Sequence, residues 1–143
     1  MSIESNNARP DSATLESFAQ DLDQIRAKTM EKVGQKDADY IRNVIRVQRL
    51  SEVAGRVTLV LGFLSPIWWV AGVLLLAFAK ILDNMEIGHN VMHGQYDWMN
   101  DPNINGRKFE WDHAADADSW RRYHNHEHHT YTNIIGKDRD FGY

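Results

Sequence analysis

Polar and apolar positions divide the chain into distinct stretches. Residues 1 to 10, "MSIESNNARP", are polar and predict no regular element. From Asp11 to Val33, Leu15, Phe18, Leu22 and Ile25 recur at spacings of three and four, the mark of one apolar face on an α-helix. Gly34 supplies its stop, and the simplest reading is a solvent-facing helix packed on its own protein. A second helical segment starts at Asp39, where Arg42, Arg46, Arg49 and Arg56 fall within about 40° of one line at roughly 100° per residue. That basic stripe leads into Val57–Ala79, "VTLVLGFLSPIWWVAGVLLLAFA", 23 residues without a charge. Roughly 20 apolar residues cross the hydrocarbon layer of a membrane.

Two topologies satisfy the apolar run. One straight span would carry Trp68 and Trp69 to the bilayer midplane, although tryptophan prefers the interface. A hairpin breaking at Ser65-Pro66 keeps them near the headgroups and is the favoured reading. Its first arm must then borrow Leu50, Val53 and Ala54, with Glu52 and Arg56 paired or snorkelling. The second arm descends from Ile67 and continues past Lys80, since nothing before Gly94 must stop it. The arginines beside the membrane place that end on the cytoplasmic side.

Composition narrows the chemistry. A length of 143 residues allows one domain or part of a larger one. A net charge of −4 gives no argument for a nucleic-acid partner. The absence of cysteine excludes disulfides, iron–sulfur clusters and cysteine-based zinc sites, so any metal must be held by histidine, carboxylate or water.

Histidine is where the sequence is unusual. "YHNHEHHTYTN" places four of the seven histidines within six positions, and "GHNVMHGQYDW" adds two more, four apart. On a helix His89 and His93 share one face, about 40° apart. If "HNHEHH" is also helical, His124 and His128 share a face, His129 sits about 100° round from His128, and His126 points nearly opposite His124. That asymmetry suits a pair of metals better than one. The zinc-protease pattern H-E-x-x-H fails because position 130 is Thr130. Imidazoles suit Zn, Cu, Fe or Ni alike. Histidines next to a bilayer full of acyl chains favour iron with dioxygen, because an inert hydrocarbon needs a strong oxidant.

"GHNVMHGQYDWMNDP" followed by "HNHEHHTYTNIIGKDRDFGY" resembles the first and second histidine boxes of the membrane fatty acid desaturases. More narrowly it is similar to the bacterial acyl desaturases whose second box reads HN-x-x-HH-x-Y-T-N, over about residues 79 to 143. The resemblance implies four membrane helices, two non-haem iron ions in a cytosolic histidine site, and O2-dependent insertion of a cis double bond into an acyl chain. It also implies an acyl-CoA or acyl-lipid substrate, and two electrons from a ferredoxin or cytochrome-type donor. Carried over by position, His89, His93, His124, His128 and His129 are the metal ligands, and His126 is not. Asn125 and Asn133 become the natural acceptors for the ligands' other N–H groups. His113 matches no box and reads as an ordinary polar residue. Asp112, Asp116 and Asp118 read as a solvated acidic loop. Trp98, Trp111 and Trp120 either rim a substrate tunnel or pack against the hairpin.

The family's third box, H or Q-x-x-HH, and the membrane pair before it have no counterpart: the fourteen residues after His129 contain no histidine. The expectation is therefore an all-α fold, an integral membrane hairpin at about residues 50 to 80 followed by cytosolic histidine-box helices. Residues 1–38 form a polar segment with one amphipathic helix. Residues 39–143 form the amino-terminal part of a desaturase domain in the cytoplasmic membrane, incomplete at its carboxyl end and inactive alone. Two alternatives stand beside it: a membrane-anchored metal-binding or interaction protein without catalysis, and a related di-iron hydroxylase.

Overall fold

The structure, a computed structural model, describes residues 11–111 and 115–140. His113 and Asp112 lie outside the described residues. Every regular element among the described residues is helical. The chain divides into two compact units, Met1–Asp37 and Ala38–Tyr143.

In the first unit, α1 (Ser12–Met30) starts where the Asp11 carboxylate accepts from the Thr14 N–H at 2.7 Å, satisfying one of the donors left open at a helix start. The apolar face expected from Leu15, Phe18, Leu22 and Ile25 is present but exposed, and α1 buries none of its residues. The helix ends at Met30, ahead of Gly34, whose N–H is capped by Asp37 at 2.9 Å.

The long helix α2 (Gln35–Leu61) starts four residues earlier than the charge pattern suggested, because that Asp37 cap draws the preceding turn into the helix. It ends in the turn Gly62–Ser65. There Ser65 Oγ accepts from the Ile67 N–H and Pro66 opens α3 (Pro66–Ile81), the position where proline's missing N–H is harmless. Past the turn the two helices run antiparallel in close contact. A Cβ on Gly55 would lie 2.8 Å from the Leu76 side chain, and one on Gly72 would lie 2.8 Å from Leu59. Glycine at both positions lets the backbones approach. Around this pair Leu50, Val53, Val60, Phe63, Leu64, Leu74 and Phe78 are exposed. Glu52 and Arg56 are paired at 2.7 Å, with Gln48 also donating to Glu52.

The helix does not stop at Ile81. A π-helical stretch, Leu82–Gly88, connects α3 to α4 (His89–Met92). The continuous 27-residue helix Pro66–Met92 is the one described helix long and apolar enough to cross a membrane. Gly94, at φ +74°, ends it. Below it, Ile41 of α2, Ile87, Val91, Tyr96 and Ile104 form the apolar core, with Val44, Ile45, Met99 and Phe109 packed against it. The loop after α4 is pinned by polar contacts. Asp97 accepts from the Gly106 N–H at 2.7 Å, and Arg42 pairs with Asp101 at 3.3 Å. The Arg121 guanidinium donates to the carbonyls of Gly106 and Phe109. Arg121 opens a second π-helical stretch, Arg121–His128, between α5 (Ala117–Trp120) and α6 (His129–Tyr131). Of the acidic loop, Asp116 caps α5 by accepting from the Ser119 N–H, and Asp118 pairs with Arg121 at 2.8 Å.

Candidate metal centre

The first histidine pair has the geometry its spacing dictates. His89 and His93 sit one α-turn apart, their rings 4.7 Å apart edge to face. What aims them is the π turn behind them, where the His89 N–H reaches back five residues to the Asn84 carbonyl. Gly88 allows this: Trp111 packs so closely that a Cβ there would lie 2.5 Å from its Cε3 atom.

The second motif departs from α-helical expectation. At about 100° per residue, His124 and His129 would be roughly 140° apart. In the π-helical stretch the His129 N–H instead bonds to the His124 carbonyl, five residues back. Positions five apart then lie nearly one turn apart. His129 thereby comes within 5.1 Å of His124 and 4.9 Å of His93, measured between ring centroids. His128 lies 5.2 Å from His124. His124 is the buried hub, 4.9 Å from His89 and 5.2 Å from His93. Trp120 stacks on it at 4.3 Å, tilted by 19°, and touches the rings of His89, His93 and Trp111. The structure thus brings His89, His93, His124, His128 and His129 together. His126 is exposed and lines a separate open surface with Arg122 and Glu127. A cavity of about 690 Å³ beside Arg42, Arg46, Arg49 and Lys108 is lined by none of these histidines.

Both asparagines help to hold the second motif in place. The Asn125 amide donates to the Met92 carbonyl at 2.9 Å, tying the second motif to the first. Asn133 adopts φ 63° and its backbone N–H donates to Asp138 at 2.8 Å. Among the described residues, two aspartates that the sequence reading passed over face imidazole nitrogens. Asp138 lies 3.1 and 3.0 Å from His128 Nδ1, and Asp140 lies 3.2 Å from His124 Nδ1. The available signal was the acidic pair in "GKDRDFGY", directly after the histidines.

Electrostatics favour neutral imidazole. Burial, reinforced by His89, His124 and His129, pushes the His93 pKa down to about 4. Burial also lowers that of His124, against the opposing pull of Asp140. Burial alone would raise Asp138, but donors from Asn133, His128 and Asp140 hold it below the usual carboxylate range.

The donor set suits a metal. The ligand atoms of His89, His93 and His124 lie within 4.8 Å of one another, as do those of His124, His128 and Asp140. Two nitrogens on one ion at about 2.1 Å each lie at most roughly 4.2 Å apart, so small side-chain movements close either group. Neutral imidazole nitrogens suit iron, and equally zinc, copper or nickel.

No family model matches the chain, and no solved structure matches it. Among curated proteins it is similar to the NADPH-dependent stearoyl-CoA 9-desaturases of two Mycobacterium tuberculosis strains. Identity to each is 51% over 131 residues, covering 92% of this chain and 30% of the relative. Because the match leaves out only about twelve of the 143 residues, and His89 to His129 lie more than twelve residues from either end, it takes in the histidines of both motifs. The chain spans about 30% of the length of the curated relatives it matches, and along that stretch it is similar to a stearoyl-CoA desaturase.

Proposed function

We propose that this chain supplies part of the catalytic centre of a membrane acyl desaturase, which inserts a cis double bond into an acyl chain with O2 as oxidant. The observation that carries the proposal is the convergence of five imidazoles from two separate motifs at the end of an apolar helix. His89, His93, His124, His128 and His129 would hold iron, two ions in the complete protein. Bound iron supplies the O2 chemistry that an unactivated methylene requires.

The chain's own residues prepare the site. A neutral His93 offers its lone pair without first losing a proton. Trp120, stacked on His124, holds that ring and shields it from water. Asn125 fixes the distance between the two motifs.

Helix length supports the membrane placement. About 20 residues from Pro66 cross roughly 30 Å of hydrocarbon at ~1.5 Å per residue. His89 and His93 then lie about 6 to 12 Å beyond the apolar layer, close enough for a chain descending from the bilayer. In this reading α2 enters the membrane beside α3, and the Glu52–Arg56 pair lessens the penalty of its charges. Arg42, Arg46 and Arg49 lie at the histidine end, beside Asp83 and Ile87, which supports a cytosolic site. The relatives' names support an acyl-CoA substrate and NADPH as the source of electrons; they point to no ferredoxin or cytochrome carrier.

A chimera tests the proposal. Exchanged for the matching 30% of the M. tuberculosis relative, this chain is expected to support desaturation of stearoyl-CoA, and His128→Ala to abolish it. A chimera that is folded and iron-loaded but inactive would overturn the activity. Full activity of His128→Ala would remove that residue from the ligand set.

A further inference from the structure

We infer that Asp138 and Asp140 form an orienting clamp that fixes His128 and His124 as their Nδ1–H tautomers before metal arrives, leaving Nε2 of each ring to bind it. The inference rests on the ligand reading proposed above and adds to it which atoms bind and what selects them.

An ionised carboxylate can only accept, so a ring nitrogen 3.0 Å from Asp138 and one 3.2 Å from Asp140 must each carry the proton. In both rings that nitrogen is Nδ1. A neutral imidazole has one proton, so Nε2 keeps its lone pair, on the side of the ring away from the aspartate.

The two aspartates are not equivalent. Asp138 has no exposed side-chain surface and is itself held by the backbone N–H groups of Asn133 and Asp140, at 2.8 and 3.1 Å. Its carboxylate therefore cannot turn away from His128 without leaving three donors unsatisfied. Asp140 is about one-third exposed, and its position depends on the bond its N–H gives Asp138. Asp138 is thus the anchor and Asp140 the dependent arm. Histidines four residues apart on the helix meet aspartates two apart on the turn, because the turn runs back along the helix at Asn133–Lys137. The left-handed Asn133 and Gly136, at φ 63° and 81°, make that reversal. Asp138 is a positioning residue, acting on the metal only through His128; Asp140, although its carboxylate also lies within 4.8 Å of ligand atoms of His124 and His128, is assigned to orienting His124 rather than to the metal.

Imidazole nitrogen NMR of the whole metal-free chain, labelled at histidine in detergent micelles, reads the tautomers directly. His128 and His124 are expected to carry hydrogen on Nδ1. A proton on Nε2 of His128 would overturn the inference without any variant. Co2+ titration gives the second readout. Asp138→Asn keeps one acceptor oxygen and the size of the side chain; it is expected to populate both His128 tautomers and weaken Co2+ binding about 10–100-fold. Asp140→Asn is expected to act on His124 alone. If Asp138→Asn retains wild-type helicity, tautomer and affinity, the clamp is refuted. Failure of the ligand reading looks different: His128→Ala would then bind Co2+ as tightly as wild type, while the His128 tautomer still decides the role of Asp138.

Discussion

Gly88→Ala probes the device that aims the first histidine pair. The added Cβ would lie 2.5 Å from Trp111 Cε3 and 2.9 Å from the Asp83 carbonyl oxygen. Neither neighbour is the free end of a flexible side chain: one is a ring atom, the other is backbone of the π turn. Overpacking of this kind costs about 1–3 kcal/mol. Alanine in place of glycine returns about 1 kcal/mol of helix propensity, so the net loss is about 0–2 kcal/mol. The functional effect should exceed that figure. If the clash is relieved by rewinding the π turn as α-helix, losing its extra residue rotates α4 by about 100° and turns His89 and His93 together away from His124 and His129. Thermal unfolding followed by circular dichroism, with Co2+ titration on the same sample, separates the two effects. The expected outcome is a small drop in stability and a loss of at least tenfold in Co2+ affinity. A variant about 1 kcal/mol more stable than wild type, with unchanged affinity, would mean that glycine is not needed there and that the π turn does not aim the site.

Arg121→Ala removes a guanidinium that bonds two loop carbonyls and pairs with Asp118. Bonds to charged groups contribute about 1.5–3 kcal/mol each, so loss of the two carbonyl bonds is expected to cost about 3–6 kcal/mol on thermal unfolding, and Arg121→Lys should recover only part of it. Acid should weaken the metal-free fold. His93 is neutral in the folded chain until about pH 4, whereas the unfolded chain takes that proton near its ordinary value of 6.5. Between those values the unfolded state binds more protons, so stability is complete above about pH 6.5 and falls as pH drops toward 4. His124, shifted the same way, adds to the slope. Melting temperatures across this window should show the decline in wild type and a shallower one in His93→Gln; equal slopes would contradict the account of His93. Gly72→Leu, which would drive a side chain into Leu59, should separate α2 from α3 and lower the melting temperature followed by circular dichroism; an unchanged melting temperature would show that the two helices do not depend on a close approach there.

The features legible in the sequence were those set by local rules. Ser65-Pro66 was readable as a helix break because a capping hydroxyl followed by proline acts within a few residues. The shared face of His89 and His93 followed from α-helical spacing, and the outward position of His126 from the same geometry. His129 was harder. Its convergence on His124 needs the five-residue turn, which neighbouring residues do not announce and which tertiary packing around Trp120 accompanies. Asp138 and Asp140 reach the histidines through a chain reversal of 10 and 16 residues, a separation to which helical periodicity is blind. The apolar stripe of α1 was read correctly as helical, but a stripe alone does not say what it faces.

The central claim is that two distant histidine motifs build one metal centre. Anaerobic Fe2+ binding by the whole chain, measured by equilibrium dialysis, tests it when His89→Ala and His129→Ala are compared singly and together. One shared centre predicts that each substitution weakens the same binding event at least tenfold and that the double variant loses less than the sum of the two effects. Two independent effects that simply add, or unaltered binding in either single variant, would show that the motifs do not act as one site.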